Sequence, residues 1–331
     1  METLVKSFNR LVLASDRRLA MPIASYPGMA LTGARVCDIV TNPQAQFEAQ
    51  AALHQRYQTP FVMSAMDLSV EAEAFGCAIY RPDTEVPSVT GRLVRSSVEA
   101  RKLTAPAVGD KRTAVYLDTV RRLRTLPGDL LVLAGCIGPF SLAARLAGVS
   151  ETMELTLTEP ALVHTLLEKS TSFLIAYARA FRNAGAHGLI MAEPAAGLLS
   201  PRSLAIFSSA YVKLVANAFS DEEFSIILHN CGAKLVHLQS ILECGLRSFH
   251  FGAPMDLMAV LGKIAPDVVL CGNLDPAGVF CQLSPSEITA RASDLLHAAA
   301  PHRNFIISSG CDVPPSAPLA SLDAFYAGLR A

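Results

Sequence analysis

The chain has 331 residues and a mass of 35.3 kDa, with 51% hydrophobic and 17% charged residues. That composition fills a large core and excludes a disordered chain. With 28 basic against 29 acidic residues the net charge is −1 and the pI about 6.7, so no electrostatic case exists for nucleic acid or an anionic membrane as a partner. Mean hydropathy is high at +0.35. The longest apolar runs, such as Val268–Cys271, nevertheless fall far short of the ~20 residues of a membrane span. A soluble protein is expected.

The opening stretch METLVKSFNRLVLASDRR is broken by polar and charged residues and reads as no secretory leader. Cysteines at 37, 77, 136, 231, 244, 271, 281 and 311 show no framework spacing. Together these predict reduced thiols and a cytoplasmic protein. Most of the cysteines are expected to be buried small hydrophobes.

In chain order, short β-rich runs alternate with helical stretches. Strands are predicted at Leu19–Ile23, Pro60–Ser64, Leu130–Gly135, Gly188–Ala192, Ser225–His229, Ser248–Phe251, Val268–Leu270 and Asn304–Ser308. Helices are predicted at Ala45–Tyr57, Lys111–Leu126, Glu159–Ala184, Pro201–Phe219, Ala233–Glu243, Met255–Ile264, Pro285–Ala299 and Ala317–Arg330. Ser200-Pro201 and Ser284-Pro285 place an N-cap before an early proline, and Gly185 and Gly245 stand where a helix ends before a strand. The strands show no clean alternation, as expected of strands buried on both faces. Eight strand–helix repeats predict a single α/β domain over residues 1–331, a closed (β/α)8 TIM barrel. An open doubly wound sheet competes, but no Gly-rich phosphate loop follows any strand. Residues 67–101 are too long for one loop and are expected to cap the barrel mouth; residues 135–150 are read as a loop and short helices over the top.

In such a barrel the chemistry gathers at the C-terminal strand ends. Those ends read Ser64-Ala65-Met66-Asp67, Gly135-Cys136, Ala192-Glu193-Pro194, His229-Asn230-Cys231-Gly232, His250, Gly272-Asn273-Leu274-Asp275 and Ser309-Gly310-Cys311-Asp312. Side chains two apart on an extended strand end point the same way. His229 and Cys231 can therefore share one metal, with Cys311 from another strand end as third ligand. One nitrogen and two sulfurs are a zinc donor set that leaves an open fourth position. A buried hydrophobic thiol and a hydrogen-bonded strand-end histidine would leave the same residues, and both readings stay open here. A zinc carrying two thiolates and a neutral imidazole has no net formal charge. It is a poor activator of water but suits an incoming thiol, whose pKa it lowers while the sulfur stays nucleophilic.

The run Met66-Asp67-Leu68-Ser69-Val70-Glu71-Ala72-Glu73-Ala74-Phe75-Gly76-Cys77 resembles the uroporphyrinogen decarboxylase superfamily. So do Ala192-Glu193-Pro194, Leu199-Ser200-Pro201, His229-Asn230-Cys231-Gly232, Gly272-Asn273-Leu274-Asp275-Pro276 and Ser309-Gly310-Cys311. The likeness is greatest to the branch of corrinoid-protein methyltransferases acting on coenzyme M. It runs in order from about residue 20 to the end. The resemblance implies the (β/α)8 fold, a zinc ion on His229, Cys231 and Cys311, and a methylcobalamin cofactor carried by a small corrinoid protein docked over the barrel mouth. It implies methyl transfer from that corrinoid to a thiol acceptor such as coenzyme M; another thiol such as homocysteine, or a non-thiol acceptor, stays open. Decarboxylases of the superfamily carry an arginine-rich motif after the first strand. Here that stretch is Pro22-Ile23-Ala24-Ser25-Tyr26-Pro27-Gly28-Met29, with no arginine before Arg35, which disfavours an octacarboxylate substrate.

Asp67 matches the aspartate that holds pyrrole N–H groups in the decarboxylases and is expected to meet the corrin or the acceptor. Glu193 is expected as a fourth metal ligand or a cofactor contact, against a structural carboxylate paired nearby. Asn273 and Asp275 are expected to line the cofactor pocket, against a turn role for Asp275-Pro276. Arg81, Arg92 and Arg95 are the available anchors for a sulfonate. His187, His237, His250 and Cys136 are expected to be structural. A tetrapyrrole decarboxylase and a non-catalytic corrinoid-binding barrel are the rival functions. The apolar composition leaves room for a homodimer.

Overall fold

The structure, a computed structural model, describes residues 7–219 and 223–330; the first six residues of the stretch read for a leader lie outside it. Its main sheet contains seven parallel strands, β1 (Phe61–Met63), β4 (Leu131–Ile137), β5 (Gly188–Ala192), β6 (Ser225–Asn230), β7 (Ser248–Phe251), β8 (Val269–Leu274) and β9 (Phe305–Ser309), paired in that order. A separate antiparallel hairpin joins β2 (Ala78–Tyr80) and β3 (Ser88–Thr90).

The expected first strand, Leu19–Ile23, forms no ladder. It is tied to β9 by a single parallel bridge, Ala20 to Ile307, in which the Met21 amide donates to the Ile307 carbonyl (2.9 Å) and the Ile307 amide to the Leu19 carbonyl (3.2 Å). The next two groups aimed at β9 are taken by side chains instead of its backbone: the Met21 carbonyl accepts from the Ser308 hydroxyl (2.5 Å) and the Ile23 amide donates to the Ser309 hydroxyl (3.0 Å). The segment still occupies the eighth stave. Met21 and Ile23 pack in one interior cluster with Phe61 and Met63 of β1 and Ile306 of β9. Phe8 and Val12 of the helix Phe8–Ala14 close the same cluster.

Each strand of the main sheet is fully or almost fully buried, because helices cover its outer face. Alternation then sorts the side chains. On β5, Ile190 and Ala192 join the barrel interior while Leu189 and Met191 pack outward. On β6, Ile227 faces in and Ile226 and Leu228 face out. This parity decides which strand-end residues can reach a common point.

Helix punctuation follows the sequence closely. Ser284 closes a capping box with Glu287, and Gly185 and Gly245 take positive φ values of 102° and 77°. The long helix expected at Pro201–Phe219 is interrupted by a π turn at Ala205–Ser209, which sets Ser208 against Glu193. Among the described residues no helix is long and apolar enough to cross a membrane.

Candidate active site and metal centre

His229 is the fifth residue of β6 and, two along from the inward Ile227, faces the barrel interior. Cys231 follows the strand end on the same parity, and Cys311 stands two residues beyond β9. Their ligand atoms all lie within 4.8 Å of one another. Around a tetrahedral zinc with bonds of ~2.0–2.3 Å such atoms stand about 3.5–3.8 Å apart, so the set closes onto an ion with movements of about 1 Å or less. The backbone beneath it is tight. A Cβ on Gly252 would lie 2.2 Å from the Cys231 carbonyl oxygen, so only glycine lets the end of β7 pack directly under the ligand.

The two thiols act as one acid. A hydrogen bond from the Cys311 thiol draws Cys231 down to about 7. The same bond, followed by burial, pushes Cys311 up to about 12. One thiolate is thus available near neutral pH.

A hydrogen-bond chain behind His229 fixes its tautomer. The Met21 carbonyl can only accept, so the Ser308 hydroxyl donates to it (2.5 Å) and accepts from Nε2–H of His250 (2.8 Å). Burial, then the adjacent His229, holds the His250 pKa well below its ordinary value, so that ring is neutral. Its Nδ1 is bare and accepts from Nδ1–H of His229 (2.8 Å). His229 Nε2 is left as a lone pair for a metal. His250 is expected from the sequence to be structural. It is buried and satisfied, and it also orients the ligand. The parity of β7 and β9 was the available signal: the register sets His250 opposite His229.

The three ligands open onto a cavity of about 210 Å³. Its walls are mainly apolar, from Met66, Leu68, Ala192, Pro194 and Val313–Pro315, and Val86–Val89 of the hairpin segment cover it. Its polar lining residues are Tyr26, Ser69, Ser88, Arg145 and Asp312. One Asp312 oxygen accepts from the Ser25 amide (3.0 Å) and the other has no partner; burial raises this acid well above its ordinary value. Tyr26, Arg145 and Asp312 were not singled out as site residues from sequence. Arg145 sits in the apolar helix Pro139–Ala147, where an isolated arginine was the one visible clue.

Four expected site residues are placed elsewhere. The Asp67 side chain is fully buried and pairs with Arg112; its other oxygen accepts from the Ser69 amide (2.9 Å) and hydroxyl (2.6 Å). Arg112 also pairs with Glu73 (2.5 Å) and donates to the Ser69 hydroxyl (2.7 Å). Glu193 follows the inward Ala192 and so turns outward. Its carboxylate accepts from the Phe140 amide (2.9 Å), the Ser141 amide (2.8 Å) and the Ser141 hydroxyl (2.6 Å), capping the helix Pro139–Ala147. That contact needs Gly138, where a Cβ would lie 2.4 Å from Glu193. Asn273 donates to the Gly252 (2.9 Å) and Met255 (2.7 Å) carbonyls, and Asp275 accepts from the Ala277 and Gly278 amides. Neither lines the cavity. The arginines weighed as anchors are also placed: Arg81 pairs with Glu73 and Arg92 with Glu151, and Arg95 does not line the cavity. Nearby, Glu71 is buried with one oxygen accepting from the Ile137 amide (3.1 Å) and the other unpartnered; burial pushes it up to about 8.

The model of the family described as uroporphyrinogen decarboxylase (URO-D) matches residues 17–330. A methylcobamide:CoM methyltransferase MtbA from Methanosarcina mazei is 28% identical over 260 residues, 77% of this chain and 75% of that protein. A uroporphyrinogen decarboxylase from Aromatoleum aromaticum is 26% identical over 317 residues, 91% of this chain and 85% of that protein. Among solved structures, a methyltransferase from Methanosarcina mazei superposes with a TM-score of 0.89 at 22% identity, covering 99% of each chain. The matched model spans nearly the whole barrel and the strand ends that carry His229, Cys231 and Cys311, and the chain belongs to the uroporphyrinogen decarboxylase family.

Proposed function

We propose that the protein is an enzyme that transfers a methyl group from a methylated corrinoid, carried on a corrinoid protein, to a small thiol. The family holds both methyltransferases and decarboxylases at similar identity, so the site must choose between them. The observation that carries the reading is the convergence of His229, Cys231 and Cys311 on one point at the wall of an open cavity. These residues would hold a zinc ion through one neutral imidazole nitrogen and two thiolates. Bound there, zinc supplies an electron-rich site that takes up a thiol, lowers its pKa and keeps the sulfur nucleophilic.

The chain's own residues do the rest. The His250–Ser308–Met21 relay holds His229 in the tautomer that presents Nε2. The apolar walls exclude water from the sulfur. At about 210 Å³ the cavity suits a small thiol and is too small for a corrin, which must approach from the mouth. In the transfer, a sulfur lone pair forms the new S–C bond while the electrons of the methyl–cobalt bond stay on the corrinoid substrate; the thiol proton leaves to solvent. The decarboxylase reading meets a lining in which, among the described residues, Arg145 is the one lysine or arginine, too few cations for eight carboxylates.

The test is the metal content of the purified protein beside Cys231→Ser and Cys311→Ser. About one zinc per chain is expected, falling below about a tenth in each variant, with thiol-dependent demethylation of methylcobalamin lost in parallel. A metal-free wild-type protein after zinc reconstitution would sink the proposal in favour of a non-catalytic corrinoid-binding barrel.

A further inference from the structure

The hairpin of β2 and β3 pairs with no strand of the main sheet. Its own ladder and a bond from the Thr90 hydroxyl to the Ala78 carbonyl (3.2 Å) hold it together. Between Ala78 and Gly91 only Pro87 is buried, yet Val86–Val89 form part of the cavity wall shared with His229, Cys231 and Cys311. The feet of the segment are fixed. The Cys77 amide donates to the Ala72 carbonyl (2.9 Å), and the Leu93 and Val94 amides donate to the Leu146 carbonyl (2.9 and 3.0 Å). Just inside one foot stands Gly91, exposed, at a φ of 70° and with open space around it. Among the described residues, the polar ties of the hairpin to the rest of the chain lie near its tip. Asp83 accepts from Arg35 (2.6 Å) through its carboxylate and from the Cys37 amide (3.3 Å) through its carbonyl, and Arg81 pairs with Glu73 (3.4 Å). Exposed ion pairs of this kind stabilise little, and so does a lone two-stranded hairpin. The segment belongs to the least stable part of the fold.

We propose that residues 78–91 are a lid latched at Asp83. Closed, the hairpin covers a bound thiol and keeps water from its sulfur; swung outward about its feet, with the change in backbone angle taken up at Gly91, it opens the mouth to the methylated corrinoid. This rests on the methyl-transfer reading above. Size requires the motion. The closed cavity of about 210 Å³ has room for a small thiol, whereas the new S–C bond forms only if the methyl–cobalt axis reaches that sulfur. The latch is built to release without stranding a charge. Arg35 keeps Asp38 (3.2 Å) when Asp83 leaves, and Glu73 keeps Arg112 (2.5 Å) when Arg81 leaves. Arg35 and Asp83 are themselves well exposed, so water replaces their contact at small cost. The partners of the latch lie before and within the helix Val36–Thr41, which carries none of the metal-facing residues. Opening therefore leaves His229, Cys231 and Cys311 in place.

The closeness of Cys37 to Asp83 supplies the test. Asp83→Cys sets a second thiol beside Cys37, and mild oxidation of the zinc-loaded protein should join the two, seen as the loss of two titratable thiols. Two readouts compare the oxidised protein with the same protein reduced and desalted. The first is demethylation of methylcobalamin at constant zinc content. The second, after zinc is stripped from the full-length protein, is the labelling of Cys231 and Cys311 by N-ethylmaleimide and by a fluorescein maleimide too large for the closed cavity, resolved by peptide mass. The cross-link should lower the ratio of bulky to small labelling at least about 10-fold, and demethylation with it. Asp83→Ala and Arg35→Ala, which release the latch, should raise the labelling ratio about 2- to 5-fold. A ratio that the cross-link leaves unchanged overturns the lid. Should the cross-link not form, an unchanged ratio in both Asp83→Ala and Arg35→Ala overturns it as well. Labelling involves no corrinoid, so the lid and the reading beneath it fail separately. A cross-link that governs labelling in a protein that demethylates nothing in either state keeps the lid and discards methyl transfer; demethylation and labelling that both ignore the cross-link discard the lid and keep methyl transfer.

Discussion

Two polar clusters sit at the mouth of this barrel, and their difference lies in what each has left to offer. Asp67, Ser69, Glu73 and Arg112 form a closed set: the Asp67 carboxylate and the Arg112 guanidinium are matched to one another, to Glu73 and to Ser69. His229, Cys231 and Cys311 form an open one. Their neighbours fix their orientation, but a nitrogen lone pair and two sulfurs still point at a common centre beside a cavity. Both clusters consist of residue types that carry catalysis. Only the one with unused bonding capacity can bind something else.

The sharpest way to break that comparison is Asp67→Ala. It removes one of the two carboxylates paired with the buried Arg112 and leaves only Glu73, and the unfolding free energy in denaturant should fall by about 1.5–3 kcal/mol while zinc content holds. Metal loss at unchanged stability would reverse the roles assigned to the two clusters.

Glu71→Gln probes the closed side through pH. Glu71 has a folded-state pKa of about 8 against an ordinary 4.5, so the folded protein binds the extra proton between those values. Wild-type stability therefore drops as pH rises through that window and levels off above it. Glutamine carries no such proton and can still accept from the Ile137 amide. The variant should match the wild type near pH 5 and exceed it progressively toward pH 8, by at most about 1.4 kcal/mol for each pH unit. Parallel stability curves for the two proteins across pH 5–8 would show that Glu71 is ionised in the fold.

On the open side, His250→Ala removes the acceptor that orients His229. Zinc affinity, measured by competition with a chromogenic chelator, should weaken about 10- to 100-fold, with both thiols still in place. An unchanged affinity would mean that His229 holds its tautomer without the relay.

Much of the architecture was legible in the chain because strand and helix periodicity are local. Gly188–Ala192 and Ser248–Phe251 lie where they were expected, as do the caps at Ser200 and Ser284. Leu19–Ile23 is a stave, as its pattern predicts, but it makes one bridge, since the Ser308 and Ser309 hydroxyls take the Met21 carbonyl and the Ile23 amide that would continue the ladder. The convergence of His229 and Cys231 was legible because an i, i+2 spacing at a strand end survives folding unchanged. Of the two roles open to Glu193 the structure shows the paired carboxylate, and the parity that favours it was present: its neighbour Ala192 faces inward, so Glu193 turns outward.

What the sequence determined by itself is therefore the set of quantities that depend on neighbours along the chain: the strand–helix rhythm, the helix caps and the shared face of His229 and Cys231. What only the tertiary structure decided is which polar groups are already matched. Arg112 reaches Asp67 across 45 positions, Ser141 reaches Glu193 across 52, and Ser308 reaches back 287 to the Met21 carbonyl. Hydrogen bonds and ion pairs are short-ranged in space and indifferent to separation along the chain. Whether a carboxylate or an arginine is satisfied is fixed only once the staves close, which is why Asp67 and Arg112 proved occupied.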